Sequence, residues 1–431
     1  MSVIKRLHRL TGEVDQKKQE RVSLGEIQEL RRRIDAIMSR RPEGTVAPAE
    51  VPGGNPRSLY DVVDGTEMSN EHGTFFVTQG ALKKSTCHGS RRIGELTSPD
   101  MNHVALLAND PRLARLDCSK GLFLDTETTG LSGGTGTTAF LIGLGWFEGN
   151  IFMTRQLFIR DFTEERASLA CLQEVAGNRQ FLITFNGKAF DVGLLSTRFI
   201  MNRLDDPLRD LPHLDLLFPC RRLLGHRVEN CRLVTLEAQV LGLRRRGDIP
   251  GCEIPQRYFD WLRRRDARLM EAVFEHNRLD VVSMAALMAH LSDLLDRSKR
   301  SEALEYGDRM AVARLLLDRG DAPRACRLLE SLVVAECGGI AGDAGRILSL
   351  IYKREGRWSE AVSVWERMII RDPGDLFALE ELAKWCEHRH SDFERAIGLV
   401  NQALVGTDGM PAGTRDAFIY RLRRLRRRSE S

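Results

Sequence analysis

Three short strings in this 431-residue chain carry residues whose types and spacing could do chemistry. The first is Asp125-Thr126-Glu127-Thr128-Thr129-Gly130, which directly follows the apolar run Gly121 to Leu124, read as a buried strand. On a strand, residues i and i+2 share a face, so Asp125 and Glu127 point the same way. Carboxylates that close repel unless a cation lies between them, and hard oxygen donors suit Mg²⁺ or Mn²⁺. Thr128 to Gly130 then form a tight turn whose backbone could approach a nucleotide. Taken alone, the pair reads equally well as two exposed acids in a turn.

The second string, Phe185-Asn186-Gly187-Lys188-Ala189-Phe190-Asp191, lies between a strand at Phe181 to Phe185 and a helix expected from about Phe190 to Arg203. Asp191 sits where a carboxylate can simply be a dipole partner or cap. That does not account for the rest of the string. The third is His276-Asn277-Arg278-Leu279-Asp280. On a helix, His276 and Asp280 share a face. They are either a surface pair or a general base for water beside a metal ligand.

The surrounding pattern supplies elements to position these strings. Thr138 to Trp146 and Ile151 to Ile159 form a hairpin around Glu148-Gly149-Asn150. Glu164 to Val175 reads as a helix with Thr163 as N-cap, Asp215 to Phe218 as a further strand, and Arg268 to Leu295 as a helix. A hairpin followed by β-α-β units predicts an α/β domain, a mixed sheet flanked by helices, over residues 118–295. Residues 60–117, with strand-like pieces such as Gly73 to Val77, read as a lead-in region packed on that domain. Cys87-His88 lacks neighbouring ligands and reads as structural. Residues 1–59 comprise a one-faced helical pattern from Leu24 to Met38 and a flexible linker from Pro42 to Pro56.

Strand signals vanish over residues 303–409, where a repeat emerges. Gly320 and Ala325 recur as Gly356 and Ala361, and Ala396 follows Ala361. With Leu348, Tyr352, Trp365 and Pro373, the middle unit resembles the tetratricopeptide repeat, a helix-turn-helix unit. Such an all-α domain binds a peptide or protein on its concave face, or else only covers its neighbour. Residues 410–431 end in an Arg-rich tail, Arg421 to Arg428, read as solvated or as a phosphate contact.

Composition narrows the function classes. The longest apolar run, Ala139 to Phe147, is far short of the ~20 residues that cross a bilayer. The basic start, Met1 to Leu10, has no apolar core of a signal peptide, so a cytoplasmic protein with no membrane partner is expected. The 9 cysteines form no C-x-x-C pair, which argues against a disulfide framework or a thiolate zinc site. Net charge is +4, but Cys220 to Arg265 holds eleven Arg, no Lys and five acids, a net of +6, leaving −2 for the remainder.

Together the three strings resemble the DEDD exonuclease superfamily, the DnaQ-like branch of the RNase H-like fold. Asp125 to Gly130 matches its Asp-x-Glu-Thr-Thr-Gly motif. Asn186, Phe190 and Asp191 match the second motif, and His276 and Asp280 the third. More narrowly, residues 70–295 resemble the YprB family of RNase H-like proteins through these strings, Leu214-Asp215-Leu216-Leu217, and Gly247-Asp248-Ile249-Pro250-Gly251. One spacing differs: His276 stands four residues before Asp280, where superfamily members that use His place it five before. The resemblance implies metal-dependent phosphodiester hydrolysis, a 3′–5′ exonuclease on DNA or RNA with two Mg²⁺ or Mn²⁺. Asp125 would bridge both ions, Glu127 and Asp280 would hold the water-activating ion, and Asp191 would serve the second. His276 would take the water's proton, or Asn277 would position that water. Thr128, Asn186 and the arginines Arg221, Arg222, Arg244, Arg245, Arg263 and Arg264 would grip the nucleic acid. Tyr258, Phe259 and Trp261 either stack on bases or face inward as the apolar side of a helix. A non-catalytic nucleic-acid-binding adaptor and a structure-specific endonuclease are the alternative functions.

Overall fold

The computed structural model describes residues 55–96, 99–130, 136–297, 304–335, 338–405 and 411–430. The helix expected from Leu24 to Met38, and nearly all of the linker after it, lie outside the described residues. Strands β1 (Thr66–Asn70), β2 (Gly73–Leu82), β5 (Gly121–Thr128), β6 (Ala139–Glu148), β7 (Ile151–Phe158), β8 (Phe181–Thr184) and β9 (His213–Asp215) form one sheet, with β3 (Cys87–His88) and β4 (Arg91–Arg92) as a separate small pair. The 7-stranded order is β1-β2-β7-β6-β5-β8-β9. The first five of these pair antiparallel, whereas β5, β8 and β9 run parallel. The stretch 60–117 thus contributes two strands to the sheet itself, and β2 extends well beyond Val77.

Helices cover both faces. On one, Leu122, Leu124 and Leu144 meet Leu172 of α2 (Glu165–Gly177) and Phe199 of α3 (Asp191–Met201). On the other, Phe123, Phe147 and Phe152 meet Val281 of the long helix α7 (Glu271–Arg297), with α1 (Met101–Ala108) alongside. The central strand β6 is buried along nearly its whole length, which is why it reads as a continuous apolar run. Gly143 and Gly145 let α7 approach it. A Cβ at Gly143 would lie 2.3 Å from Asn277 Oδ1, and one at Gly145 would lie 2.5 Å from Val281 Cγ1.

Two local expectations are corrected. The stretch 215–218 is not a strand. β9 ends at Asp215, whose side chain accepts from Leu217 N–H (3.1 Å) and turns the chain into α4 (Leu217–Leu223). Thr163 is not the cap of α2: it lies within a 3-10 turn, Phe162–Glu164, that leads into the helix and is capped by Asp161, which accepts the Thr163 N–H at 2.9 Å. Between α4 and α7 lie α5 (Leu233–Leu236) and α6 (Ile254–Arg264). On α6, Tyr258 stacks on Phe140 with centroids 4.0 Å apart, and Trp261 is buried beside Phe158, so these aromatics face the core.

The C-terminal region is all-helical: α8 (Tyr306–Asp318), α9 (Ala322–Val334), α10 (Gly339–Glu355), α11 (Trp358–Arg371), α12 (Leu376–Trp385), α13 (Phe393–Val405) and α14 (Ala412–Ser429). Repetition is visible in the backbone. Gly320, Gly356 and Ser391, at the α8–α9, α10–α11 and α12–α13 turns, all adopt left-handed φ, of +82°, +76° and +53°. Five residues after each, Ala325, Ala361 and Ala396 are fully buried where helices meet. The Arg-rich tail is the helix α14, seated by buried Phe418 and Leu425 and by Arg421, Arg424 and Arg428 converging on Glu387. Arg227 bonds Asp308 of α8 at 3.0 Å, and Arg222 pairs with Asp318, tying the sheet domain to the first repeat helix.

Candidate active site

The carboxyl ends of the three parallel strands come together at one edge, the usual place for a site in a sheet of this kind. Asp125 and Glu127 project from the end of β5 on its α7 face, and the register with β6 slips between Glu127 and Thr128. Such a bulge re-aims side chains where pairing stops. Asp191 opens α3 just beyond β8 and accepts a 2.5 Å bond from Thr126 Oγ1. Asp280 comes from α7.

Buried hydrogen bonds fix these positions. Asp215 is buried and accepts from the backbone N–H of Asn186 (2.7 Å) and Lys188 (3.1 Å), shaping the loop that delivers Asp191. Asn186 itself holds φ +68°, and a Cβ at Gly187 would lie 2.5 Å from Thr184 Oγ1. On the other side, the Asn277 amide donates to Asp125 Oδ2 at 2.8 Å, while its oxygen accepts from Gln156 at 2.9 Å. Gln156 in turn is held by Thr78 Oγ1 at 2.9 Å. Both ends of Asn277 are thus engaged, its amide on Asp125 and its oxygen on Gln156. Gly143 lies opposite Asp125 in the ladder, and its missing side chain is the space Asn277 occupies.

His276 is held by Asp248, with Nδ1 2.7 Å from Asp248 Oδ1. Arg245 Nη1 stands 3.4 Å from the same ring nitrogen. Nε2 lies 3.7 Å from Asp280 Oδ2, on the side of the acids. Gly247, at φ +66°, makes the turn that brings Asp248 back, and buried Ile249 anchors it.

Charge is concentrated. Burial, then the neighbouring carboxylates Asp280, Glu127 and Asp191, push Asp125 well above the usual carboxylate range. Burial, then Asp280 and Asp191, do the same to Glu127. Burial raises Asp191 to about 6, against the bond from Thr126. The donors are all carboxylate oxygens, a chemistry that fits Mg²⁺ or Mn²⁺. As they stand, no group of three or more His, Cys, Asp or Glu among the described residues is drawn tightly enough together to hold an ion. Arg245 pairs with Asp280.

The structure thus gathers Asp125, Glu127, Asp191, Asp280 and His276 at one place. Thr128 is beside them, its hydroxyl bonded to Gly130 O at 2.8 Å to close the turn. The arginines divide. Arg221, Arg244, Arg263 and Arg264 are exposed, although Arg263 also pairs with Asp260 at 3.2 Å. Arg222 is committed to Asp318. Arg245 is turned inward, its side chain 2% exposed, and cannot serve as a surface grip for phosphate. His88 is buried on Ser283 Oγ at 2.7 Å, and burial lowers its pKa to about 4, so it is a neutral structural histidine. The sequence reading gave no role to Asp248, Asp215, Gln156 or Gly143. The strings around Asp248 and Asp215 were the available signal.

A protein-family model described as RNase_H superfamily matches residues 122–292. The chain is also 32% identical over 355 residues to YprB of Bacillus subtilis (strain 168), an alignment that covers 79% of this chain and 84% of that protein. By this match the chain belongs to the YprB family, with an RNase H superfamily domain over residues 122–292.

Proposed function

We propose that the protein is a metal-dependent nuclease that hydrolyses phosphodiester bonds of DNA or RNA, acting as a 3′–5′ exonuclease. The observation that carries this reading is the convergence of Asp125, Glu127, Asp191 and Asp280 at one sheet edge, with too much negative charge for the cations around them. Asp125, Glu127, Asp191 and Asp280 would hold two Mg²⁺ or Mn²⁺ ions. Bound there, the ions supply the charge that stabilises the attacking and leaving oxygens of an in-line displacement.

The chain's own groups do the rest. Asn277 and Thr126 keep Asp125 and Asp191 aimed. Asp248 orients His276, whose Nε2 would accept the proton of the attacking water. Arg221 and Arg244 meet backbone phosphates without reading sequence. The repeat helices offer a half-apolar groove lined by Val333, Val334, Leu348, Tyr352 and Val364, where a peptide or protein partner would sit. The reduced thiols fit a cytoplasmic location, and no described helix is long and apolar enough to cross a membrane.

The test is product length. Wild-type protein with Mn²⁺ is incubated with single-stranded and duplex DNA and RNA, labelled at either end. Mononucleotides released from the 3′ end support the exonuclease. Discrete fragments replace it with the endonuclease reading, and binding without cleavage under any metal replaces it with the adaptor reading.

A further inference from the structure

Arg245 was given no role above, yet it is the most heavily engaged cation at the site: beyond its two close carboxylate pairings, its Nη1 stands 3.4 Å from both Asp248 Oδ2 and His276 Nδ1. Its Nε and Nη2 bond the two carboxylate oxygens of Glu237, both at 2.6 Å, and Nη2 also reaches Asp280. Glu237 is fully buried and is held in turn by the Ser283 hydroxyl, which His88 Nε2 meets at 2.7 Å. A line of buried polar groups thus runs from β3 to one of the four acids. Taking a guanidinium out of water is costly unless it stays paired. Here the pairing is of two kinds. The fork on Glu237 is bidentate and backed by Ser283 and His88. The bond to Asp280 is single, and Asp280 keeps exposed area toward the site.

We propose that Arg245 is a built-in counter-cation of the acidic centre: it neutralises Asp280 when no metal is bound, keeps its hold on Glu237, and yields Asp280 to a divalent ion. Arg245 thereby sets the metal affinity of the site. The inference rests on the nuclease reading only in taking the four acids as the metal donors. It accounts for why the acids are near one another and still not closed around an ion site. It also gives the arginine a partner throughout, since giving up Asp280 leaves the Glu237 fork intact.

The experiment is Mn²⁺ binding to the full-length, chelator-stripped protein by titration calorimetry, with melting temperature followed in parallel. Arg245→Gln removes the competitor and should bind Mn²⁺ about tenfold more tightly, the worth of one charge-assisted bond. Its metal-free melting temperature should fall and recover on adding Mn²⁺ by more than the wild type gains. Glu237→Gln leaves Arg245 with Asp280 and, at 3.4 Å, Asp248 as its charged partners and should weaken Mn²⁺ binding several-fold, on the order of a part of that same bond. Arg245→Lys, which keeps a charge, should stay near the wild type. A purely structural role for Arg245 would move both neutralising variants in one direction. If the wild type binds Mn²⁺ and Arg245→Gln binds no more tightly, the counter-cation is wrong and the metal site stands. If no form binds Mn²⁺, the metal-nuclease reading falls with it.

Discussion

Two charge clusters in this molecule are near mirror images. At the sheet edge, four carboxylates gather with Arg245 paired to one of them. At the C-terminal helix, Arg421, Arg424 and Arg428 gather on one carboxylate, Glu387. They differ in where the surplus goes. Glu387 is 0% exposed, but the arginine side chains are 16%, 38% and 53% exposed, so water screens their excess charge. The acids at the sheet edge are each only partly exposed, and burial together with Asp280 and Asp191 pushes Asp125 and Glu127 well above the ordinary carboxylate range. Surplus charge that water screens can be structural. Like charges that oppose one another's ionisation make a place where a cation would be stabilising. The densest charge run in the sequence, Arg421 to Arg428, is therefore the less informative of the two about chemistry.

Neutralising one acid in each cluster should give opposite results. Glu127→Gln should cut metal-dependent hydrolysis by about 10³-fold or more, as loss of a group that stabilises developing charge does. It should also leave the metal-free melting temperature unchanged or higher, because a repelling carboxylate is gone. A lower melting temperature would remove the contrast. Gly143→Ala tests the support instead of the acids. Its Cβ would lie 2.3 Å from Asn277 Oδ1, so Asn277 and Asp125 must shift. A loss of about 10²-fold in kcat is expected from such misplacement, with about 1–3 kcal/mol of stability lost to overpacking. Urea unfolding and steady-state rates on a short oligonucleotide check both, and wild-type rates would show that Asn277 does not set Asp125.

At the other cluster, Glu387→Ala takes the shared acceptor from Arg424 and Arg428 and leaves Arg421 with Glu380 at 3.7 Å. Breaking a buried pair costs about 3–5 kcal/mol, reduced here to about 1–3 because Arg424 and Arg428 reach water. Hydrolysis of short substrates should not change. Hydrogen exchange of α14 should rise. The smallest effect is in pH. Asp191 has a folded pKa raised to about 6, so the native state binds more protons than the unfolded chain between about 4 and 6. The metal-free protein should therefore be more stable near pH 4 to 5 on this group's account, losing that contribution as pH rises through about 6. Melting curves with and without Mn²⁺ at each pH should show the loss only without metal. An Asp191→Asn variant with the same pH profile would assign the effect elsewhere.

The elements that place the acids were legible because their signals are local. Alternating or continuous apolar runs gave β5, the β6–β7 hairpin, β8 and the α7 period, and the i, i+2 spacing put Asp125 and Glu127 on one face. The repeat was legible too, though Ser391 in the third turn hides the glycine that marks the first two. What escaped was long-range. β2 joins the sheet by pairing with β7, a partner about 70 to 80 residues away in sequence, and carries β1 on its outer side. Gln156 reaches Asn277 across 121 residues, and Arg245 reaches Asp280 across 35. Nothing in the triplet Arg244 to Arg246 distinguishes the inward middle residue from its exposed neighbours. Only the position of Glu237 and Asp280 does.

The most direct test of the acidic centre separates binding from cleavage. Wild type, Asp125→Asn and Asp280→Asn are each assayed for Mn²⁺-dependent cleavage of end-labelled DNA and RNA and, with the same strands, for binding by fluorescence anisotropy. Cleavage by the wild type that both variants lose while retaining affinity is the expected result. Cleavage that survives either substitution, or a wild type that binds and never cuts, would contradict it.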